Sequence, residues 1–335
     1  MTLTSIGDLA QTFVMRRQNA ALKSRMSQLT LELATGRSAD LVRHLGGNMT
    51  WLSDIEHQTV VQGGYQTAAR EAGITAGAMQ SALGRVHELA RDLGANAVVA
   101  GSTVGSTARN TAAVEARGAL EAMIAALNIS VAGRPVFAGT DLSTPPLLAG
   151  EGLLDAARSA TAGAVTAADV ASALDVFFGP GGGFETDVYQ GNTDDVAAIR
   201  LGAGAAVQLS IRADDVALRS VMKNTVMTAL ADDPGLMLDD AARDTLIGWG
   251  AEGLLTQSDA LVEIQANLGF AESRIAQAES RISSELSALE IARNTLTSVD
   301  PFDTASELEE VQFQLETIYT VTARSSRLNL ASFLS

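Results

Sequence analysis

Leu261, Leu268, Ile275, Ile282, Leu289 and Leu296 stand seven residues apart without a miss. A strand cannot produce this series, because its side chains change face with period two. A helix comes back to nearly the same face every seven residues, so the spacing predicts one long helix with a coiled-coil-like seam. Ile264, Ala271 and Ala278 add the second seam position in the first half, before it drifts. The remaining chain must then supply helical partners, and its composition suits that task. Apolar residues make up 47% and aromatic residues only 4%, so the core rests on Ala, Leu, Val and Ile. Such side chains favour helices packed at close range over a thick sandwich.

The chain opens with three further helices. Residues 8–35 carry Met15, Leu22, Met26, Leu29 and Leu33 on one face, with Thr35-Gly36 as the stop, since glycine accepts the left-handed conformation that closes helices. Residues 50–96 and 105–130 read as Ala-rich helices separated by a Gly-containing stretch. From Val131 to Pro146 the chain is punctuated by Gly and Pro, which predicts loop with an extended piece around Val136-Phe137.

The middle is compositionally distinct. Of a net charge of −16, the stretch from Asp141 to Asp259 holds −12, from 18 acidic and 6 basic residues. It reads as a helix over 167–178, a Gly-Pro turn at 179–183, and strand-like pieces at 186–189, 196–201 and 207–211. Helix returns near Asp215, with a break at Asp232-Asp233-Pro234-Gly235. After the heptad series, Val299-Asp300-Pro301-Phe302-Asp303 interrupts the helix, and a last one starts near Asp303-Thr304 with Leu308, Val311, Leu315, Ile318 and Thr322 as its stripe.

Both ends are thus amphipathic helices without a sequence neighbour to cover them, and the economical solution packs them on each other. The expected fold is mainly α, an elongated helical rod or bundle built from paired N- and C-terminal helices, with a small inserted α/β or β domain. The 335 residues divide into a terminal helical assembly domain (1–40 and 300–335), a helical rod domain (41–140 and 215–299) and an acidic insertion (141–214). Burying a Leu or Ile contributes roughly 1.5–3 kcal/mol, while ordering backbone costs about 1–2 kcal/mol per residue before hydrogen bonds offset part of it. A two-helix seam is marginal on those terms, and surface from sister molecules would complete it. Leu22, Met26, Leu29, Leu33, Leu308, Leu315, Ile318, Leu330 and Phe333 are the expected assembly residues.

Several function classes are disfavoured. The acidic balance opposes nucleic-acid binding, which needs a basic face. No apolar run reaches the length of a membrane span, and the opening MTLTSIGDLAQTFVMRR does not read as a cleaved secretory signal. The absence of cysteine excludes disulfides, thiolate metal sites and cysteine nucleophiles. His87-Glu88-Leu89-Ala90-Arg91 falls one imidazole short of a zinc-protease helix, and His44 and His57 are isolated. The Gly179–Gly183 loop lacks the Lys-Ser/Thr of a phosphate cradle and runs into Phe184-Glu185. The pairs Asp194-Asp195, Asp214-Asp215, Asp232-Asp233 and Asp239-Asp240 lack calcium-loop spacing and read as caps and turns. No catalytic residue, metal or cofactor is expected.

Once located, these features resemble the flagellin superfamily of bacterial axial proteins, on its hook–filament junction branch. Leu31-Glu32-Leu33-Ala34-Thr35-Gly36-Arg37 is similar to the helix-ending Thr-Gly-Lys/Arg signature, although Ser38-Ala39-Asp40-Leu41 departs from the Ser-Asp-Asp-Pro-like run that often follows. Gly133 to Asp141, followed by Thr144-Pro145-Pro146, resembles a Gly-x-Tyr-x-Phe-x-Gly-Thr segment with Pro135 in place of the aromatic, and Tyr189-Gln190-Gly191 resembles the Tyr-x-Gly of an inserted domain. The last helix is similar at Leu308, Gln312, Leu315, Tyr319, Thr322, Ala323, Leu328, Leu330, Phe333 and Leu334. The likeness covers about residues 10–145 and 260–335 and is weak over 150–255.

The resemblance implies a structural subunit, not an enzyme, that joins hook to filament. It would be exported by the flagellar type III system without a cleaved signal, to an extracellular flagellum. The implied partners are copies of itself in a ring or tube, a neighbouring hook-associated protein, flagellin and an export chaperone. A flagellin filament subunit is the first alternative, and a cytoplasmic coiled-coil scaffold the second.

Overall fold

The computed structural model describes residues 4–102 and 105–333. In chain order the helices are α1 (Thr4–Thr35), α2 (Leu41–His44), α3 (Thr50–Ser102), α4 (Ser106–Leu127), α5 (Gly150–Ala160) and α6 (Ala167–Phe178). They continue with α7 (Val216–Leu230), α8 (Asp240–Thr256), α9 (Ser258–Thr297) and α10 (Pro301–Phe333). Two short antiparallel hairpins interrupt them. Strands β1 (Ser130–Val131) and β2 (Arg134–Pro135) form one, β3 (Ile199–Gly202) and β4 (Ala205–Val207) the other. The protein is mainly α with a small β component, as the seam and composition predict.

The chain divides into two compact units, residues 1–63 with 284–335 and residues 64–283. In the first unit α1 lies along α10. The helix is interrupted between Thr297 and Pro301, as the sequence suggested, and Pro301 itself takes the first position of α10, where its missing N–H is no loss. The Asp300 carboxylate accepts from the N–H groups of Phe302 at 2.8 Å and Asp303 at 3.3 Å, so the helix begins two residues earlier than expected.

In the second unit α7 is the most enclosed helix, with Leu218, Val221, Met222, Val226, Met227 and Leu230 all buried. It packs against α4 and α8. Its crossing with α8 is close because α8 offers Gly250 and Gly253 there. A Cβ on Gly250 would overlap the Thr228 hydroxyl, and one on Gly253 the Asn224 amide. The middle of α3 buries Ala69, Ala72, Ala76, Met79, Leu83, Val86, Ala90, Leu93 and Ala97, alternating three- and four-residue steps. Small side chains on that stripe admit α9, whose Ile275 lies 3.6 Å from where a Cβ on Gly73 would stand. Leu261, Leu268, Ile275 and Ile282 are buried, in line with the heptad reading, whereas Leu289 and Leu296 are half-buried.

The acidic middle is more helical than its sequence suggested. Helix α5 was not anticipated, and residues 186–189 are not a strand. Phe184–Val188 form a single π-helical turn closed by the Tyr189 N–H on the Phe184 carbonyl at 2.8 Å. The reason is the spacing of apolar groups: Phe184 and Val188 both enter the core, which a strand would allow only with Thr186 beside them, and Thr186 is exposed. Phe184 also stacks on Phe178 at 5.2 Å. Only Tyr189 takes a bridge position, opposite Leu147. The later strands form at 199–202 and 205–207, short of the expected 196–201 and 207–211, because Gly202 and Gly204 supply positive φ for a tight turn between them.

The Asp pairs act as caps and ion-pair partners. Asp215 accepts from Ala217 N–H and Asp239 from Ala242 N–H. Asp240 and Asp244 hold the buried Arg109 guanidinium at 2.8 and 3.1 Å, and Asp233 takes Arg158 at 2.7 Å. Arg243 donates to the carbonyls of Ala231, Asp233, Leu236 and Leu238, which clamps the break between α7 and α8.

Candidate assembly surface

The expected assembly residues converge on the α1–α10 pair. Leu29, Val311 and Leu315 form its buried centre, and Leu22, Met26 and Leu308 pack half-buried against them. The cause is the helical spacing read from the sequence: Leu22, Met26 and Leu29 share a face of α1, and Leu308, Val311 and Leu315 share one of α10. Ile318 is half-buried beyond them. Leu33, one turn beyond Leu29, is not part of this centre and is 41% exposed. Leu330 and Phe333 fall outside the residues whose side chains are described.

Polar contacts set the register. Arg25 grips both oxygens of Glu307, Nη2 at 2.7 and 2.8 Å and Nε at 2.9 Å. The Lys23 ammonium lies 5.8 Å from the centre of the Tyr319 ring. Lys23, and after it Asn19, hold the Tyr319 hydroxyl below its ordinary pKa by donating hydrogen bonds to the anionic form. The Thr322 hydroxyl reaches the Met15 sulfur at 3.8 Å.

A backbone clasp closes the base of the pair. Gly36 adopts φ +67°, its N–H bonding the Glu32 carbonyl at 2.8 Å, so α1 stops where the sequence predicted. The chain then bonds across to the α9–α10 turn, Ser38 N–H to Thr297 O at 2.8 Å and Val299 N–H to Gly36 O at 3.2 Å. Arg37 adds a bond to Asn294 Oδ1 at 2.6 Å. The buried Glu32 carboxylate takes the Ala39 N–H at 2.8 Å. Sequence reasoning missed the role of Asn294 and Thr297 because no spacing rule joins residues some 260 positions apart, and that of Glu32 because its bond to Ala39 depends on the fold of the turn between them.

The pair leaves apolar surface uncovered. Phe313 and Phe302 on α10 are 70% and 79% exposed, and Leu31 on α1 is exposed too. A groove of about 530 Å³ runs between the helices, lined by Gln18, Ala21, Leu22, Phe313, Gln314, Thr317 and Ile318.

The two loop motifs singled out in the sequence also meet. Asn192 N–H bonds the Ala138 carbonyl at 2.9 Å, and the Tyr189 hydroxyl donates to the Asn192 carbonyl at 3.0 Å. Gly139 at φ +62° approaches the Asn192 carbonyl more closely than any Cβ would permit. Burial, and then the nearby Asp214 charge, push the Tyr189 hydroxyl pKa up, so it stays a donor. Asp141 accepts from Ser143 and Thr144, and these bonds hold its carboxylate below the usual range. This is a folding junction. Among the described residues no group of His, Asp or Glu is arranged to hold a metal ion, and no helix is long and apolar enough to cross a membrane. His87 is half-buried, and Arg91, in the place of a second imidazole, pairs with Asp92.

Residues 253–334 match the bacterial flagellin C-terminal helical region. The end of this chain is similar to the flagellin C-terminal region. That region comprises the end of α8 with α9 and α10, hence one half of the seam just described. Two solved structures are similar in fold. One is a Vibrio parahaemolyticus protein described as a flagellar hook-associated protein, with 12% identity and a TM-score of 0.50 over 73% of this chain and 95% of that one. The other is FlgL of Bacillus cereus, with 16% identity and a TM-score of 0.51 over 72% of this chain and 100% of that one. No curated protein sequence matches. The resemblance to the flagellin superfamily is borne out for the last helix, which lies within the matched residues.

Proposed function

We propose that this protein is a structural subunit of the bacterial flagellum that joins hook to filament. The observation that carries the reading is the terminal helix pair. Among the described residues, α10 buries Val311 and Leu315 as apolar side chains against Leu29, while Phe302, Phe313 and Tyr319 on the same helix remain exposed. Phe313 borders the groove of about 530 Å³ between the two helices, and an exposed apolar groove of this kind marks protein–protein contact. In the assembled state Leu22, Met26, Leu29, Leu308, Leu315 and Ile318 hold the pair together, and the groove beside Phe313 with Leu33 on the flank receives sister subunits. A contact between two different patches repeats without closing on a dimer, which generates rings or tubes. Residues 1–40 and 300–335 form the assembly domain in this reading, 41–140 and 215–299 the helical body, and 141–214 the insertion. The partners are further copies, an adjoining hook-associated protein, flagellin and an export chaperone, and the site of action is outside the cell after type III export.

Electron microscopy of cells lacking the gene tests this directly. Bare hooks with flagellin shed into the medium are expected. Normal filaments would refute the reading, and filament loss with no flagellin made would assign the chain as the filament subunit. Leu315→Asp should leave residues 64–283 folded yet abolish incorporation, and normal swimming of that strain would sink the seam argument.

A further inference from the structure

The acidic region carries a groove of about 870 Å³ between α5, α6 and the π-helical turn, within the size range of binding sites. Ala156, Ser159 and Ala160 line one wall, Ser172, Ala173 and Val176 the other, and Phe177 the floor. Val176 is 72% exposed at the rim. Asp169 and Asp187 are the charged residues lining it, and no lysine or arginine does so.

The nearby cations are engaged elsewhere. Arg158 is shared between Asp155 and Asp233 at 2.6 and 2.7 Å, Lys223 holds Asp175 at 2.7 Å, and Arg219 holds Glu185 at 2.5 Å. Glu185 also accepts from Gly181 N–H, so this ion pair ties the Gly-rich turn to α7. Gly183 packs on the face of Phe177, where a Cβ would overlap the ring. Asp169 receives the Thr166 and Val165 N–H groups in a capping box, which fixes its carboxylate on the rim. The hydroxyl of Thr166, and then these backbone bonds, keep it ionised to lower pH than an ordinary aspartate. The groove is therefore preformed, walled by alanine, serine and valine over a phenylalanine floor, and negative at its edge.

We infer that this groove docks a lysine- or arginine-bearing amphipathic segment of another protein. Its alkyl stems would lie across Val176 and Ala160, and its cationic heads would meet Asp169 and Asp187. The stretch from Asp141 to Asp259 is itself −12, so a second copy of it is repelled while a cationic segment is drawn in. This contact goes beyond the terminal-helix assembly, and its failure would leave that assembly untouched.

The experiment uses the full chain and two labelled synthetic helices, one of leucine and lysine, the other of leucine and glutamate. Fluorescence anisotropy should show binding of the lysine helix alone, weakening as salt rises from about 0.05 to 0.5 M. Asp187→Lys and Ser172→Trp, both at exposed positions, should each weaken it about tenfold or more, since either reverses a rim charge or fills the groove. Leu22→Asp, on the terminal pair, should change nothing. The inference is overturned if the lysine helix fails to bind, if both helices bind alike, or if neither groove variant matters. It is equally overturned if Leu22→Asp removes the binding, which would place the probe on α1 and α10.

Discussion

Leu315→Ala measures how much the terminal pair depends on its small apolar centre. Leu315 is 5% exposed and meets Leu29 and Val311, with Leu22, Met26 and Leu308 around them. Truncating a buried leucine in a large core costs about 2–5 kcal/mol, more where the cavity cannot collapse. Here two helices alone form the seam, water reaches its edges, and the cavity can close or hydrate, so the lower end applies: about 2–3 kcal/mol. That loss falls on the opening of α1 from α10. Amide hydrogen exchange of the full chain should therefore speed up roughly 30- to 160-fold over residues 22–35 and 305–318, the factor that this free energy implies where exchange follows local opening. Amides of α7 should not change, because that helix is enclosed in the other unit. Unchanged exchange in α1 would show that the clasp and ion pair hold the helices without the seam. An equal rise in α7 would show that the two units open together. Either result refutes the energetic argument for a marginal pair.

Arg25→Met should raise the same exchange rates far less, because a partly exposed ion pair contributes only about 0.2–1 kcal/mol even in good geometry. A loss matching that of Leu315→Ala would reverse the ranking of forces. Gly36→Val forces a β-branched residue into φ +67° at an estimated cost of about 1–3 kcal/mol, and should expose the 36–40 turn to proteolysis while residues 64–283 stay resistant. Gly250→Val should lower the melting temperature of residues 64–283, since overpacking against Thr228 and the Asn224 carbonyl costs about 1–3 kcal/mol or more; no change in thermal unfolding would mean that α7 and α8 cross less closely. Asp233 is held below its ordinary pKa: burial opposes this, but the Arg158 hydrogen bond, the Gly235 N–H and the Arg117 charge prevail. A depressed carboxylate stabilises the folded state above its unfolded pKa of about 3.9 and loses that contribution as pH falls through the folded value. Asp233→Asn should thus destabilise the protein at pH 7, and its deficit against the parent in urea titrations should shrink as pH falls below about 3.9.

Position in the chain sufficed for the features governed by local periodicity. The sevenfold recurrence of Leu261 through Ile282, the stripes of α1 and α10, the Gly36 stop and the α6 boundaries at 167 and 178 all follow from which side chains share a helical face and which residue ends it. The stripes also implied that the two ends meet, because neither had another apolar surface nearby. What pairs with what beyond that needed the tertiary structure. A glycine such as Gly250 reads as a weak helix residue until α7 lies against it, and Glu32 as an exposed acid until the turn at Ser38 and Ala39 folds back onto its carboxylate. Thr186 to Val188 looked extended, yet the burial of Phe184 and Val188 on one side curled them into a π-turn. Helix propensity and pattern act over a few residues, whereas burial, close approach and charge pairing are set by groups that only the folded chain brings within a few ångströms.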